Sequence, residues 1–124
     1  MADIFLRSGE TFTGIANPSN FYGKGGAGTE TAGITVAALG SRFDQNIEAV
    51  TLVGNTSDFK FQQQGNQLLI YTLSDALVAT IGIQDDANGT LLNFSNNQGM
   101  IAMFDGATLE INGAAISTTP GTIA

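Results

Sequence analysis

The chain has 124 residues, of which 11 are acidic and four basic, giving a net charge of −7, and it contains no cysteine and no histidine. This is one domain's length, and 43% apolar residues can fill one modest core. Four scattered cations (Arg7, Lys24, Arg42, Lys60) cannot build the basic face that nucleic acid or an anionic membrane demands, and without Cys or His there are no disulfides, few zinc sites and no common general base.

In chain order, strand signals dominate. Ile4 to Ile15 holds Phe5, Phe12 and Ile15 among Thr and Gly and predicts one or two short strands. Asn17-Pro18-Ser19-Asn20 breaks that run, and Gly23 to Gly28 reads as a glycine-rich turn. Thr29 to Val36 is rich in Thr and β-branched residues, and the only helix-like stretch, Val36 to Leu39, is bracketed by Gly33 and Gly40. Ala49 to Val53 predicts a strand ended by Gly54-Asn55. Phe59 and Phe61 alternate with Lys60 and Gln62, as in a half-buried strand. Gly65-Asn66 is a two-residue hairpin signal leading into Leu68 to Leu73. Ser74-Asp75 turns the chain again. Leu77, Ala79, Ile81 and Ile83 then face one way, with Val78, Thr80, Gly82 and Gln84 on the other. Further strands are predicted at Leu91 to Phe94, Met100 to Phe104, Thr108 to Ile111 and Ala114 to Ile116. Asp85 to Gly89, Asn96 to Gly99, Asp105-Gly106 and Asn112-Gly113 are the turns between them.

Turn signals every 8–12 residues point to an all-β fold. The expected architecture is a β-sandwich with a Gly/Thr-rich, β-solenoid-like N-terminal part. Residues 1–124 form a single domain. Within it, 1–18 is a strand segment suited to exchange with a neighbour, and 117–124 is a loose tail containing Pro120. No strict internal repeat is visible.

Charged residues make up only 12% of the chain, about half the usual share of roughly 25%. Thr, Ser, Asn, Gln and Gly must therefore cover the surface, as is common where a protein meets its own copies. No apolar run reaches the ~18 residues of a membrane-spanning helix. Met1 to Arg7 has no basic start, long apolar stretch or small-residue cleavage site, so a cytoplasmic location or export without a cleaved signal is expected.

Two segments are oxygen-rich. Asp44, Asn46 and Glu48 stand at alternate positions, and in an extended chain they project to one side. Calcium takes six to eight oxygens, so these three begin a calcium site; they equally fit a turn followed by an exposed strand edge. Asp85-Asp86-Ala87-Asn88-Gly89-Thr90 resembles half of a calcium loop but lacks the bidentate Glu, and turn chemistry alone accounts for its Asp and Asn. The run Gly23 to Gly28 lacks the Lys-Ser/Thr of a phosphate loop and is read as a corner. Ser and Thr have no His partner, and the adjacent Asp85 and Asp86 would diverge in a strand. Neither a triad nor a glycosidase carboxylate pair forms, and no enzyme is expected.

The steps Phe21-Tyr22-Gly23 with Gly28-Thr29-Glu30-Thr31, then Asp44-Gln45-Asn46-Ile47-Glu48, then the aromatic hairpin Phe59-Lys60-Phe61 with Gly65-Asn66, then Asp85-Asp86-Ala87-Asn88-Gly89-Thr90, occur in a fixed order. Together they resemble modules in bacterial RTX-type (hemolysin-like) calcium-binding surface proteins, over about residues 20 to 95. The resemblance implies type I secretion with an uncleaved signal, an extracellular location, a β-rich fold and calcium as ligand. The glycine–aspartate nonapeptides of the parallel β-roll are absent, and Asn88 stands where the pattern has Asp.

The expectation is a non-enzymatic extracellular structural protein. It would assemble with copies of itself into a filament, surface layer or biofilm matrix, aided by calcium at Asp44, Asn46, Glu48, Asp85, Asp86 and Asn88. The alternatives are a carbohydrate-binding or adhesive module that meets cell-surface glycans through Phe21, Tyr22 or Tyr71, and a small cytoplasmic or phage-type β protein.

Overall fold

The computed structural model describes residues 2–6, 11–12, 19–23, 31–34, 40–44, 47, 49–52, 54–83, 89–96 and 99–122. The fold is all-β, as the sequence predicts, and is built from two mixed sheets. The described residues form thirteen strands: β1 (Ala2–Leu6), β2 (Thr11–Phe12), β3 (Ser19–Gly23), β4 (Thr31–Ile34), β5 (Ser41–Phe43), β6 (Ala49–Leu52), β7 (Phe59–Gln64), β8 (Gln67–Thr72), β9 (Leu77–Gly82), β10 (Thr90–Asn93), β11 (Met100–Phe104), β12 (Leu109–Ile111) and β13 (Ala114–Ala115). A single 3₁₀ turn, Thr56–Asp58, precedes β7.

The first sheet has the order β1-β3-β5-β9-β8-β7, and the second has the order β13-β12-β11-β10-β6-β4-β2. Through β6 the chain therefore alternates between sheets, and each strand lies parallel to the one two elements earlier. Ala2 pairs with Ser19 and Asn20 with Arg42 in the first sheet, while Thr11 pairs with Thr31 and Thr31 with Ala49 in the second. A parallel pair needs a crossover of a dozen or more residues. Here the crossover passes through the opposite sheet. From β7 on the pattern changes to antiparallel hairpins, although β9 still adds in parallel to β5 and β10 to β6.

Two strands fall where no strand is predicted. β3 begins at Ser19, inside the expected break, and β5 covers only Ser41–Phe43. Each contributes one buried Phe, and the two rings stack with centroids 4.7 Å apart and planes 6° apart. The register explains the stack. Ile4, Phe21, Phe43, Ile81 and Leu68 lie opposite one another in turn across five strands, and all but the half-buried Ile4 are fully buried. This row is the spine of the first sheet. Val50 and Leu92 form the matching inward row of the second sheet, joined by Met100. Phe94 crosses the interior to meet Phe59 and Phe61 of β7, at 5.6 and 5.9 Å between centroids, so both sheets close on one core.

The hairpins follow their turn residues. Gly65-Asn66 joins β7 to β8 with Gly65 at φ +62°, as a type II′ turn requires of its first residue. Asn112-Gly113 joins β12 to β13 with both residues at positive φ, the type I′ signature. Asp105-Gly106 opens a longer loop, in which the Asp105 carboxylate accepts the amides of Ala107 and Thr108 at 2.9 and 2.7 Å. Those two bonds hold its carboxyl below the usual carboxylate range. The alternation expected in β9 is modified: the register with β8 skips Val78, between the pairs Tyr71–Leu77 and Ile70–Ala79, and Val78, Ala79, Thr80 and Ile81 are all buried.

Candidate functional site

The two ends of the stacked sheets differ. At the β7 end, residues 117–121 run along the edge. Phe61 and Gly121 exchange backbone hydrogen bonds of 2.7 and 3.1 Å, and the Gln63 amide donates to Ser117 O at 2.8 Å. The Gln62 side chain adds a bond to Thr118 O at 2.9 Å. The segment read from sequence as a loose tail is thus a strap over its described length. In the second sheet, the matching edge strand β13 is only two residues long.

At the other end β1 and β2 are the outermost strands among the described residues. β1 pairs with β3 and β2 with β4, and among the described residues no strand lies beyond either. Both sit on the chain's own sheets. Natural edges are blunted by Lys, Pro, bulges or covering segments. β1 carries only Asp3, whose carboxylate accepts the Asn20 amide at 3.0 Å. Ile4 and Leu6 turn inward, whereas Phe5 is 55% exposed and stacks on Tyr22 with centroids 5.1 Å apart. The exposed Phe5 ring, stacked on Tyr22, gives this edge an apolar surface.

Of the six expected calcium ligands, only Asp44 lies among the described residues; Asn46, Glu48, Asp85, Asp86 and Asn88 lie outside them. Asp44 continues β5. Its amide donates to Phe21 O at 2.9 Å, and its carboxylate accepts the Gly23 amide at 3.1 Å, tying the ends of β3 and β5 together. Among the described residues no three His, Cys, Asp or Glu side chains converge. Of the three aromatics considered for glycan contact, Phe21 is buried in the spine and Tyr22 lies half-buried against Phe5. Tyr71 is also half-buried, its hydroxyl donating to Gln62 Oε1 at 2.5 Å.

A feature that gives no sequence signal is Gln63. It is 8% exposed, on the inner face of β7, and it bridges the sheets. Its side-chain nitrogen donates to Ala107 O at 2.8 Å and to Gly65 O at 3.1 Å, while its oxygen accepts the Leu109 amide at 3.0 Å. Only its place in an alternating run beside Phe59 and Phe61 hints that it points inward. No helix among the described residues is long and apolar enough to cross a membrane. Compared with protein-family models, with characterised proteins and with solved structures, the chain matches none.

Proposed function

We propose that this protein is a non-enzymatic, extracellular structural subunit that adds to copies of itself, building a filament or surface layer of the kind in which RTX-type secreted modules occur. The observation that supports this reading is the asymmetry of the two ends: one is strapped by residues 117–121, and at the other β1 and β2 are the outermost strands among the described residues. The parallel part is read as a short β-solenoid. Its support is the steady register, with steps of 17 and 22 residues in one sheet (Ala2 to Ser19, Asn20 to Arg42) and of 20 and 18 in the other (Thr11 to Thr31, Thr31 to Ala49). Such a stack buries a continuous core by adding coils, and a further copy supplies the next coil.

In the first sheet, strand direction suits head-to-tail growth. β8 is antiparallel to β9 and β7 antiparallel to β8, so β7 runs the same way as β9, β5, β3 and β1. A neighbour's β1 laid on β7 would continue the parallel order once the strap moved aside. The exchange replaces one set of backbone hydrogen bonds with another, so its net cost is small. Calcium, in this proposal, is held by side-chain oxygens of Asp44, Asn46, Glu48, Asp85, Asp86 and Asn88.

Light scattering and electron microscopy in calcium and in chelator test the reading. The expected result is concentration-dependent growth that slows when Phe5→Lys places a charge on the β1 edge, and that speeds when the chain is cut after Ile116. Monodisperse monomers under every condition would overturn it.

A further inference from the structure

We infer that the outer face of the first sheet carries a binding site for a neutral saccharide. The strands end there in a cleft of about 350 Å³, near the low end of the roughly 300–1,000 Å³ of small-molecule sites. Its origin lies in the sheet register. Asn20, Arg42 and Thr80 form one outward row across β3, β5 and β9. One step further along the strands stand Tyr22, Asp44, Gly82 and Gln67, with Gly82 directly opposite Gln67. Gly82 contributes no side chain to this face, so its neighbours rise around a hollow. Thr80, 7% exposed, forms the floor.

The lining suits a polyhydroxylated ligand without net charge. Arg42 and Asp44 supply opposite charges in the same cleft, so an anion would meet Asp44 and a cation Arg42. The rest of the polar lining is uncharged and offers both donors and acceptors. Several of these groups are already oriented. Asn66 donates its side-chain nitrogen to Ile83 O at 3.2 Å, which leaves its oxygen as an acceptor. Asn20 is fixed by Asp3, and the Asp44 carboxylate by the Gly23 amide. Planar amide, guanidinium and carboxylate groups take adjacent hydroxyls in pairs. At one end of the cleft Tyr22 is backed by the exposed ring of Phe5, which gives a shelf for the apolar face of a sugar ring. Preoriented polar groups lower the ordering cost of binding.

The probes are neutral oligosaccharides of glucose, mannose, galactose and N-acetylglucosamine, with an oligogalacturonate as the charged comparison. Each is titrated into dilute protein by calorimetry and followed through amide NMR shifts. At least one neutral series should bind and perturb residues 22–23, 42–44, 66–67 and 80–82. Gly82→Val fills the hollow with a good strand former, at a glycine that is not at positive φ. Arg42→Ala removes the paired donors. Each should weaken binding about tenfold or more, while Leu91→Ser, at an exposed position on the other sheet, should leave it unchanged. Thermal melts confirm that the variants are folded. Absence of binding by every neutral series up to about 10 mM, preference for the uronate, or wild-type affinity in both cleft variants would overturn the site. Assembly is scored without sugar, so failure of either idea leaves the other standing.

Discussion

The parallel region, β1 to β6, and the hairpin region, β7 to β13, reach the same core by different routes. In the hairpin region neighbouring strands are close in sequence, and turn chemistry sets each register: Gly65-Asn66 places Gln64 opposite Gln67, and Asn112-Gly113 places Ile111 opposite Ala114. In the parallel region no turn connects paired strands, because every crossover visits the other sheet. Register there is set by the buried row, in which the flat Phe21–Phe43 stack locks β3 to β5 and passes contact on to Ile81 of β9. One region is specified locally and the other by what it stacks on.

The largest effect should come from breaking each region's aromatic anchor. Phe94→Ala removes the ring that joins the two sheets, and Phe21→Ala removes half of the parallel stack. Both side chains are about 1% exposed, and each truncation should cost roughly 3–5 kcal/mol. Denaturant unfolding read by fluorescence and by circular dichroism tests whether the regions are one unit. The spine runs from Ile4 to Leu68 through both, so the two probes should report one shared transition. Two separate transitions in Phe21→Ala would show that the parallel region unfolds alone.

A smaller effect is expected where the regions join. Gly89, just before β10, has φ +64°, and an added Cβ would lie 2.3 Å from the carbonyl oxygen of Ala102. Gly89→Ala combines an unfavourable backbone conformation with a clash against β11, and should cost roughly 2–4 kcal/mol. Gln63→Leu comes next. It keeps the volume of β7's inner face but orphans the Leu109 amide and the Ala107 carbonyl. The expected loss is about 1–3 kcal/mol. If Gln63→Leu is as stable to urea as the wild type, Gln63 is spectator rather than stitch.

The hairpin region was the legible one. Alternation of Phe59 and Phe61 with Lys60 and Gln62, followed by Gly65-Asn66, announces β7 and β8 because the pattern and the turn are both local. β3 and β5 are not announced. Each follows residues that break strands and buries a single Phe whose partners lie 17 to 38 residues away, from Ile4 to Phe21, from Phe21 to Phe43 and from Phe43 to Ile81. Local periodicity carries no information about such pairings. The saccharide cleft was hidden for the same reason. Asp44 stood out as an oxygen donor and Tyr22 as an aromatic, but Arg42, Gly82 and Gln67 belong to no motif and meet only through register. Gln63 was hidden because an inward-facing amide looks like any other polar residue in an alternating strand.

The smallest effect concerns the loop between β11 and β12 and depends on pH. Asp105 is exposed, and its carboxylate is held below the ordinary range first by the Thr108 amide and then by that of Ala107. Because the folded value is the lower one, the charged form is favoured by folding. Its contribution is complete above the unfolded Asp value of about 3.9, and is lost as pH falls through the lower folded value. Asp105→Asn should therefore reduce stability slightly at neutral pH and make no difference in strong acid, where the wild-type carboxyl is itself protonated. The measurement is the difference in unfolding midpoint between the two proteins at a series of pH values. A gap that shrinks on acidification supports a charge-assisted loop, while a constant gap would mean that Asp105 acts through turn geometry alone, as in the hairpins whose registers are set by Gly65 and Asn112.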